Sequence, residues 1–242
     1  MRLYTTHKCV CIDLDHKTLY TTKMKQFQQV LLNTLTANVT TSFLWFAVTF
    51  WVYLETKSVL ATAILGGGYM LLVAVFSIIF GTIVDHHKKK AVMVFSGTFT
   101  LAAFVAAGLA YLFLPHEAIL SIGGPAFWLF SGIILAGAVV ENMRNIALST
   151  TVTLLVPGVM RDKANGMVGT VQGVAFMVTT VFSGLSIGFL GMGWTLAVAV
   201  GLMAVALVHL VLVVQIPESE IYHDPKLKGK EIDLKGSIAA IR

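Results

Sequence analysis

The chain has 242 residues, of which 57% are hydrophobic and only 12% are charged, with a formal net charge of +5. Soluble domains usually carry about a quarter charged residues. The charges here concentrate towards the two ends and in two short internal segments, 85–90 and 161–163. Because a fold in water needs polar surface on all sides, this segregation excludes an ordinary soluble domain.

Six apolar stretches are long enough to cross a bilayer, which takes roughly 20 residues of helix. Transmembrane β-strands would alternate apolar and polar residues, and runs such as Met70–Phe80 do not. The sequence therefore predicts an all-α membrane protein: a cytoplasmic tail at 1–27, a six-transmembrane-helix bundle at 28–214 and a cytoplasmic linker at 215–242. The predicted spans are Gln28–Leu54, Val59–Val84, Ala91–Leu114, Pro125–Val156, Ala164–Leu190 and Trp194–Val214.

The basic residues predict the orientation of these spans. Of the 17 Lys and Arg residues, all except Lys57 and Arg144 fall on one predicted side. Basic residues are enriched on the cytoplasmic side of membranes, so both termini are predicted to be cytoplasmic in a multi-pass protein of the cell membrane. The same asymmetry explains the positive net charge, and no nucleic-acid partner is predicted.

The sequence lacks the local motifs of common enzymes. No Gly-x-x-x-x-Gly-Lys nucleotide loop, His-Glu-x-x-His or Gly-x-Ser-x-Gly occurs. The two cysteines, Cys9 and Cys11, have no second pair to complete a zinc site. We therefore predict no enzyme activity, no cofactor and no metal.

A compact motif stands at the end of the second span, where Gly81, Asp85, Lys89 and Lys90 occur. It resembles the signature loop between helices two and three of the major facilitator superfamily, Gly-x-x-x-Asp-x-x-x-[Arg/Lys]-[Arg/Lys]. The resemblance implies an inner gate latch, in which Asp85 pairs with a basic group or caps a helix in a second half. The alternative is a determinant of topology, with Asp85 as a local cap.

Two further segments resemble the drug- and siderophore-exporter branch of that superfamily. Val156–Pro157, Arg161 and Ala164–Gly166 are similar to its loop between helices four and five, and Ile232–Ile238 is similar to its approach to helix seven. The resemblance implies one half of a twelve-helix transporter, built from two three-helix inverted repeats. It also implies proton-coupled efflux of a small molecule by alternating access, with a C-terminal half or a second copy as partner.

The fourth predicted span contains Glu141 and Arg144, three residues apart and therefore on one helix face. Charges in hydrocarbon are costly and usually face a partner or a water-filled path. One interpretation is that Glu141 carries a proton or neutralises a cationic substrate, with Arg144 as its partner. The other is that both side chains snorkel to the inner headgroups, since residue 141 lies about 24 Å from Pro125 along the helix.

Polar stripes on spans one and five are candidates for a substrate cavity. Asn38, Thr41 and Trp45 follow helical spacing on the first stripe, and Gln172 and Thr179 do so on the other. Hydrogen bonding between helices is the alternative explanation, but the resemblance favours cavity lining. A rival function for the whole chain is a non-transporting six-helix scaffold or an inactive truncated transporter fragment.

Overall fold

The computed structural model describes residues 4–156 and 158–216, with side chains described from Thr22 onwards, so most of the predicted linker at 215–242 lies outside it. Within the described residues all regular elements are helical, which confirms the predicted all-α class. Five of these helices are long and apolar enough to cross a membrane. The elements are α1 (Tyr4–Thr56), α2 (Val59–His86), α3 (Lys89–Phe113), α4 (His116–Leu120), α5 (Pro125–Leu155), a 3-10 turn (Gly158–Met160) and α6 (Arg161–Leu212).

Local sequence signals set several helix starts. Ser58 is the N-cap of α2, and its hydroxyl accepts the backbone N–H of Ala61 at 3.2 Å. Pro125 occupies the first turn of α5, where its missing N–H costs nothing and its fixed φ suits a helix. The connections between the long helices are short. The most extensive packing is between α1 and α6 and between α3 and α5.

Helix α6 is a pair of helices separated by a reversal at Gly191. Gly191 has φ 74° and ψ 176°, which is not helical. The hydroxyls of Ser186 and Thr195 lie 2.8 Å apart, whereas nine residues of straight helix would separate them by about 13.5 Å. The chain therefore turns back at Gly191, and we call the two arms α6a (161–190) and α6b (192–212). The predicted fifth and sixth spans fall on these arms.

The reversal gives a stability prediction. The Gly191 conformation is essentially confined to glycine, and forcing another residue into it costs about 1–3 kcal/mol. We expect Gly191→Ala to lower the free energy of unfolding by that amount, measured by thermal unfolding in detergent. Gly188→Ala is the matched control because Gly188 is helical and its added Cβ would meet nothing within 4 Å. Equal stability of the two variants would contradict the prediction.

The buried apolar side chains form two clusters, one towards each end of the bundle. On α1 the first cluster uses residues 43–52 and the second uses residues 27–31, which leaves a polar stretch between them. On α5 the boundary falls near Glu141, which lies about midway between Pro125 and Leu155. The middle of the bundle is therefore a polar layer between two apolar clusters.

The outer surface of the bundle is apolar. Large side chains such as Phe113 and Phe189 are more than 80% exposed, and α2 is the least buried of the long helices. Apolar surface on this scale is not stable in water and matches the hydrocarbon of a bilayer. The polar groups are instead turned inwards, where they form the candidate site.

Candidate functional site

The centre of the polar layer is an ion pair between Glu141 and Arg144 on α5. The Arg144 side chain is 0% exposed and that of Glu141 is 2% exposed. Arg144 Nε donates to Glu141 Oε1. A buried charge is tolerated only when it is paired and its remaining hydrogen-bonding groups are satisfied, so the partners of both groups define the site.

The remaining groups of the pair bind to neighbouring helices. Arg144 Nη1 donates to Asn33 Oδ1 of α1 at 2.6 Å, and Nη2 donates to the backbone carbonyl of Met93 on α3 at 3.2 Å. Glu141 Oε2 lies 3.2 Å from the hydroxyl of Thr100 on α3. The pair therefore joins α5 to α1 and α3.

Asn33 extends this network to α6b. Its Nδ2 donates to the backbone carbonyl of Ala206 at 2.7 Å and lies 3.1 Å from His209 Nδ1. Asn33 is 1% exposed, so its amide is positioned entirely by these protein partners. A single side chain thus connects the ion pair on α5 to a histidine near the end of α6b.

The glycine at position 97 makes room for the guanidinium. A Cβ added to Gly97 would lie 2.6 Å from Arg144 Nη2 and 3.3 Å from Leu207 Cδ1. Neither distance is compatible with normal van der Waals contact. The absence of a side chain on this turn of α3 therefore allows Arg144 to reach the carbonyl of Met93.

This close approach can be tested by mutation. We expect Gly97→Ala to displace the Arg144 guanidinium and destabilise the protein by about 1–3 kcal/mol, the usual cost of overpacking a core. Gly108→Ala on the same helix is the control because its Cβ would have no neighbour within 4 Å. Thermal unfolding measures both variants, and a Gly97→Ala protein as stable as Gly108→Ala would refute the packing argument.

A cavity of about 320 Å³ opens beside the ion pair. The cavity lies between α1, α2, α5 and α6a. Asn38 Nδ2 donates to Asn145 Oδ1 across it at 2.7 Å. Amide groups, one carboxylate and two aromatic rings make its wall both hydrogen-bonding and apolar, as small-molecule sites usually are. The lining residues are Asn38, Thr41, Ser42, Tyr69, Ala138, Glu141, Asn142, Asn145, Gln172, Ala175 and Phe176.

The structure brings three of the five residues predicted for the cavity to its wall. Asn38 and Thr41 of α1 and Gln172 of α6a line it directly. Trp45 does not line it, but its ring contacts that of Tyr69, which does, with the ring centroids 4.8 Å apart and the planes tilted by 31°. Trp45 therefore supports the wall from behind.

The other predicted residues are divided between the cavity and the protein interior. Thr179 is buried, and its hydroxyl donates to the carbonyl of Ala175 in its own helix at 2.8 Å. Glu141 lines the cavity, whereas Arg144 lies behind it, within the bundle. Glu141 is thus the charged residue that the cavity and the buried network share.

The motif residues lie at the end of the bundle that carries Lys88, Lys89 and Lys90, which we call the lysine end. Lys89 Nζ donates to the carbonyl of Val84 at 2.5 Å and so caps the end of α2, and Lys90 Nζ donates to a carbonyl of α6b at 3.2 Å. The Asp85 side chain is exposed. A Cβ at Gly81 would meet no atom of the described chain within 4 Å, so Gly81 makes no close helix contact within this bundle.

Sequence reasoning did not identify Asn33, Gly97 or Thr100 as parts of the site. The available signal for Asn33 was an asparagine within a membrane span, because a buried amide needs several hydrogen-bond partners. Nothing local marks Gly97 or Thr100, since their importance comes from the position of Arg144 on another helix. His209 lies in the last predicted span, and its partner on α1 is 176 positions away.

An apolar helical bundle with a buried ionic network and a polar cavity is typical of polytopic membrane transport proteins. The sequence profile described as Major Facilitator Superfamily matches residues 30–240, and the chain belongs to this family. Members of the family carry small molecules across membranes and are not enzymes. No curated protein and no solved structure gives a match. The predicted family is confirmed, and the exporter branch stays a prediction.

Proposed function

We propose that this protein moves a small molecule out of the cell by alternating access, in exchange for protons, and that Glu141 is the residue that couples the two. The observation that carries the proposal is the position of Glu141, which belongs both to the cavity wall and to the buried ion pair. A proton or a cationic substrate that reaches the cavity therefore meets the same carboxylate that neutralises Arg144.

The chemistry of coupling follows from this shared carboxylate. When Glu141 binds a proton, Arg144 loses its counter-ion but keeps its positive charge, because a guanidinium does not deprotonate in proteins. A buried unpaired charge is unstable by several kcal/mol. Protonation of Glu141 therefore favours any conformation in which Arg144 gains water or another partner, and this is how proton binding drives a helix rearrangement.

The arms of α6 support a six-span unit. If α6a and α6b each cross the membrane, the bundle has six spans and both ends lie on one side, as in one half of the family fold with its two inverted repeats. In that arrangement the positive-inside rule favours a cytoplasmic lysine end and cytoplasmic termini. The opposing wall of the cavity would come from a second six-helix unit, either further along a longer chain or in a second copy.

Asp85 is proposed to form an inner latch. Its side chain is exposed at the lysine end, while Lys89 and Lys90 bind carbonyls of α2 and α6b. The carboxylate is thus presented outwards from this bundle, where a basic group or a helix N-terminus of the second unit can bind it.

The latch is tested by Asp85→Asn in the complete transporter. We expect a lower rate of transport, roughly tenfold for a loss of about 1.4 kcal/mol in the inward-closed state, and unchanged folding measured by circular dichroism. Glu117→Gln, which removes an exposed carboxylate from α4, is the matched control. A normal rate in Asp85→Asn would leave Asp85 as a determinant of topology.

Coupling is tested by Glu141→Gln in the complete transporter, reconstituted in liposomes with an imposed pH gradient. The probes are a fluorescent cationic dye and a lumenal pH indicator. We expect gradient-driven dye movement and the accompanying proton flux to be lost in the variant, because glutamine cannot bind a proton. Glutamine keeps an oxygen that accepts from Arg144 but leaves the guanidinium charge unpaired, so we expect a lower free energy of unfolding, by about 3–5 kcal/mol. Thermal unfolding must therefore confirm that the variant is folded under the assay conditions.

Glu55→Gln is the matched control for coupling, since Glu55 is exposed at the end of α1. Unchanged proton-driven transport in Glu141→Gln would exclude Glu141 from the mechanism. Absence of movement for a wide panel of solutes in the wild-type complete protein, with or without a gradient, would favour a non-transporting scaffold instead.

A further inference from the structure

His209 takes no part in the coupling step proposed for Glu141 and Arg144. It lies in the last turn of α6b and is partly buried, and its Nδ1 is 3.1 Å from Asn33 Nδ2. Asn33 Oδ1 in turn accepts from Arg144 Nη1 at 2.6 Å. One amide therefore separates the imidazole from the guanidinium.

The hydrogen bonds of Asn33 fix the protonation state of His209 in this arrangement. Arg144 has donors and no acceptor, so the Asn33 atom that faces it must be Oδ1. The amide nitrogen must then face the carbonyl of Ala206 and His209 Nδ1. Because that nitrogen is a donor, Nδ1 must accept, and His209 is a neutral imidazole with its proton on Nε2.

A proton on Nδ1 is incompatible with this set of bonds. In the imidazolium both ring nitrogens are donors, so Nδ1–H would face the amide N–H of Asn33. Rotating the amide by half a turn would let Oδ1 accept from His209, but would place NH2 against Arg144 and Oδ1 against the Ala206 carbonyl. With the ring in this position, an imidazolium at His209 and the Arg144–Asn33 bond therefore exclude each other.

We propose that His209 is a second proton-binding site, and that its protonation releases Arg144 from Asn33 and so loosens the Arg144–Glu141 pair. The idea rests on the proposed function for its role in transport, but its chemistry stands on the Asn33 geometry alone. The charged side chains facing this corner are Arg144 with Glu141 from α5 and Lys90 from α3, while within the described residues α1 contributes the neutral Asn33.

His209 also provides a direction for the proton. Lys90 Nζ binds the carbonyl of Val211, two residues beyond His209, so the imidazole lies nearer the lysine end than Glu141 does. A proton arriving from that end reaches His209 before the ion pair. Through Asn33, the pair then responds to the pH on that side before a proton binds Glu141 itself.

The test uses the full chain in lipid nanodiscs, labelled with ¹⁵N-histidine and ¹⁵N-arginine and followed by NMR between pH 8 and pH 5. The Arg144 side-chain signal is identified by its loss in Arg144→Lys. We expect it to shift in a step whose midpoint coincides with that of the His209 ring nitrogens. That step should be lost in His209→Gln, which keeps a side-chain acceptor but cannot bind a proton.

His87→Gln is the matched control, since His87 is exposed at the end of α2 and bonds to a carbonyl of its own helix. It should retain the Arg144 step. In Asn33→Asp the carboxylate can accept from both neighbours, so the step should shrink while His209 still titrates. An Arg144 step that persists in His209→Gln, or an Arg144 signal that ignores His209 protonation, would overturn the inference.

The experiment needs neither a substrate nor a gradient, so its outcome is separate from that of the transport assay. A protein that shows the coupled step but moves no solute would retain the His209 switch and refute the proposed function. Proton-coupled transport without the coupled step would support the proposed function and refute the His209 switch.

Discussion

The structure depends on keeping one arginine and one glutamate charged in the middle of an apolar bundle. Desolvating such a pair is costly, and its mutual attraction compensates only when the other donors and acceptors are satisfied as well. Here the hydrogen-bond partners of the pair come from α1 and α3. Asn33, the partner on α1, also binds a backbone carbonyl of α6b. The position of four helices relative to one another is therefore tied to one set of hydrogen bonds.

This constraint explains the choice of residues around the pair. Gly97 lacks a side chain where the guanidinium must approach α3. Thr100 offers its hydroxyl to both the Glu141 carboxylate and the carbonyl of Gly137, 2.9 Å away. Apolar clusters pack on either side of the layer, and low polarity around the pair strengthens each of these bonds.

The membrane fold was predictable because hydropathy and charge asymmetry act on long segments. The same signals located the turn at Gly191–Gly193, where the structure places a reversal at Gly191. The spacing of Glu141 and Arg144 predicted that they share a helix face, and the structure pairs them. The stripe on α1 indicated Asn38 and Thr41, which line the cavity.

The remainder of the site was not predictable because it depends on pairings between distant segments. Asn33 meets Arg144 at a separation of 111 positions, and no local pattern specifies such a contact. The glycine at position 97 does not by itself predict a contact with Arg144, since glycine in a membrane helix usually indicates only close helix packing. The sequence alone was compatible with Glu141 at the inner headgroups or near the midplane. Its position along the bundle is known only once the ends of α5, Pro125 and Leu155, are known.

A buried ion pair is weak support for stability, because a well-packed apolar replacement is often as stable or more so. Its presence in the middle of this bundle is better explained by a need for two states. Asn33 can satisfy Arg144 or a protonated His209 but not both, and a proton on Glu141 removes the counter-charge of Arg144. Under the mechanism proposed above, each residue is a point at which a proton weakens the bonds between helices, and the cavity lies beside the ion pair.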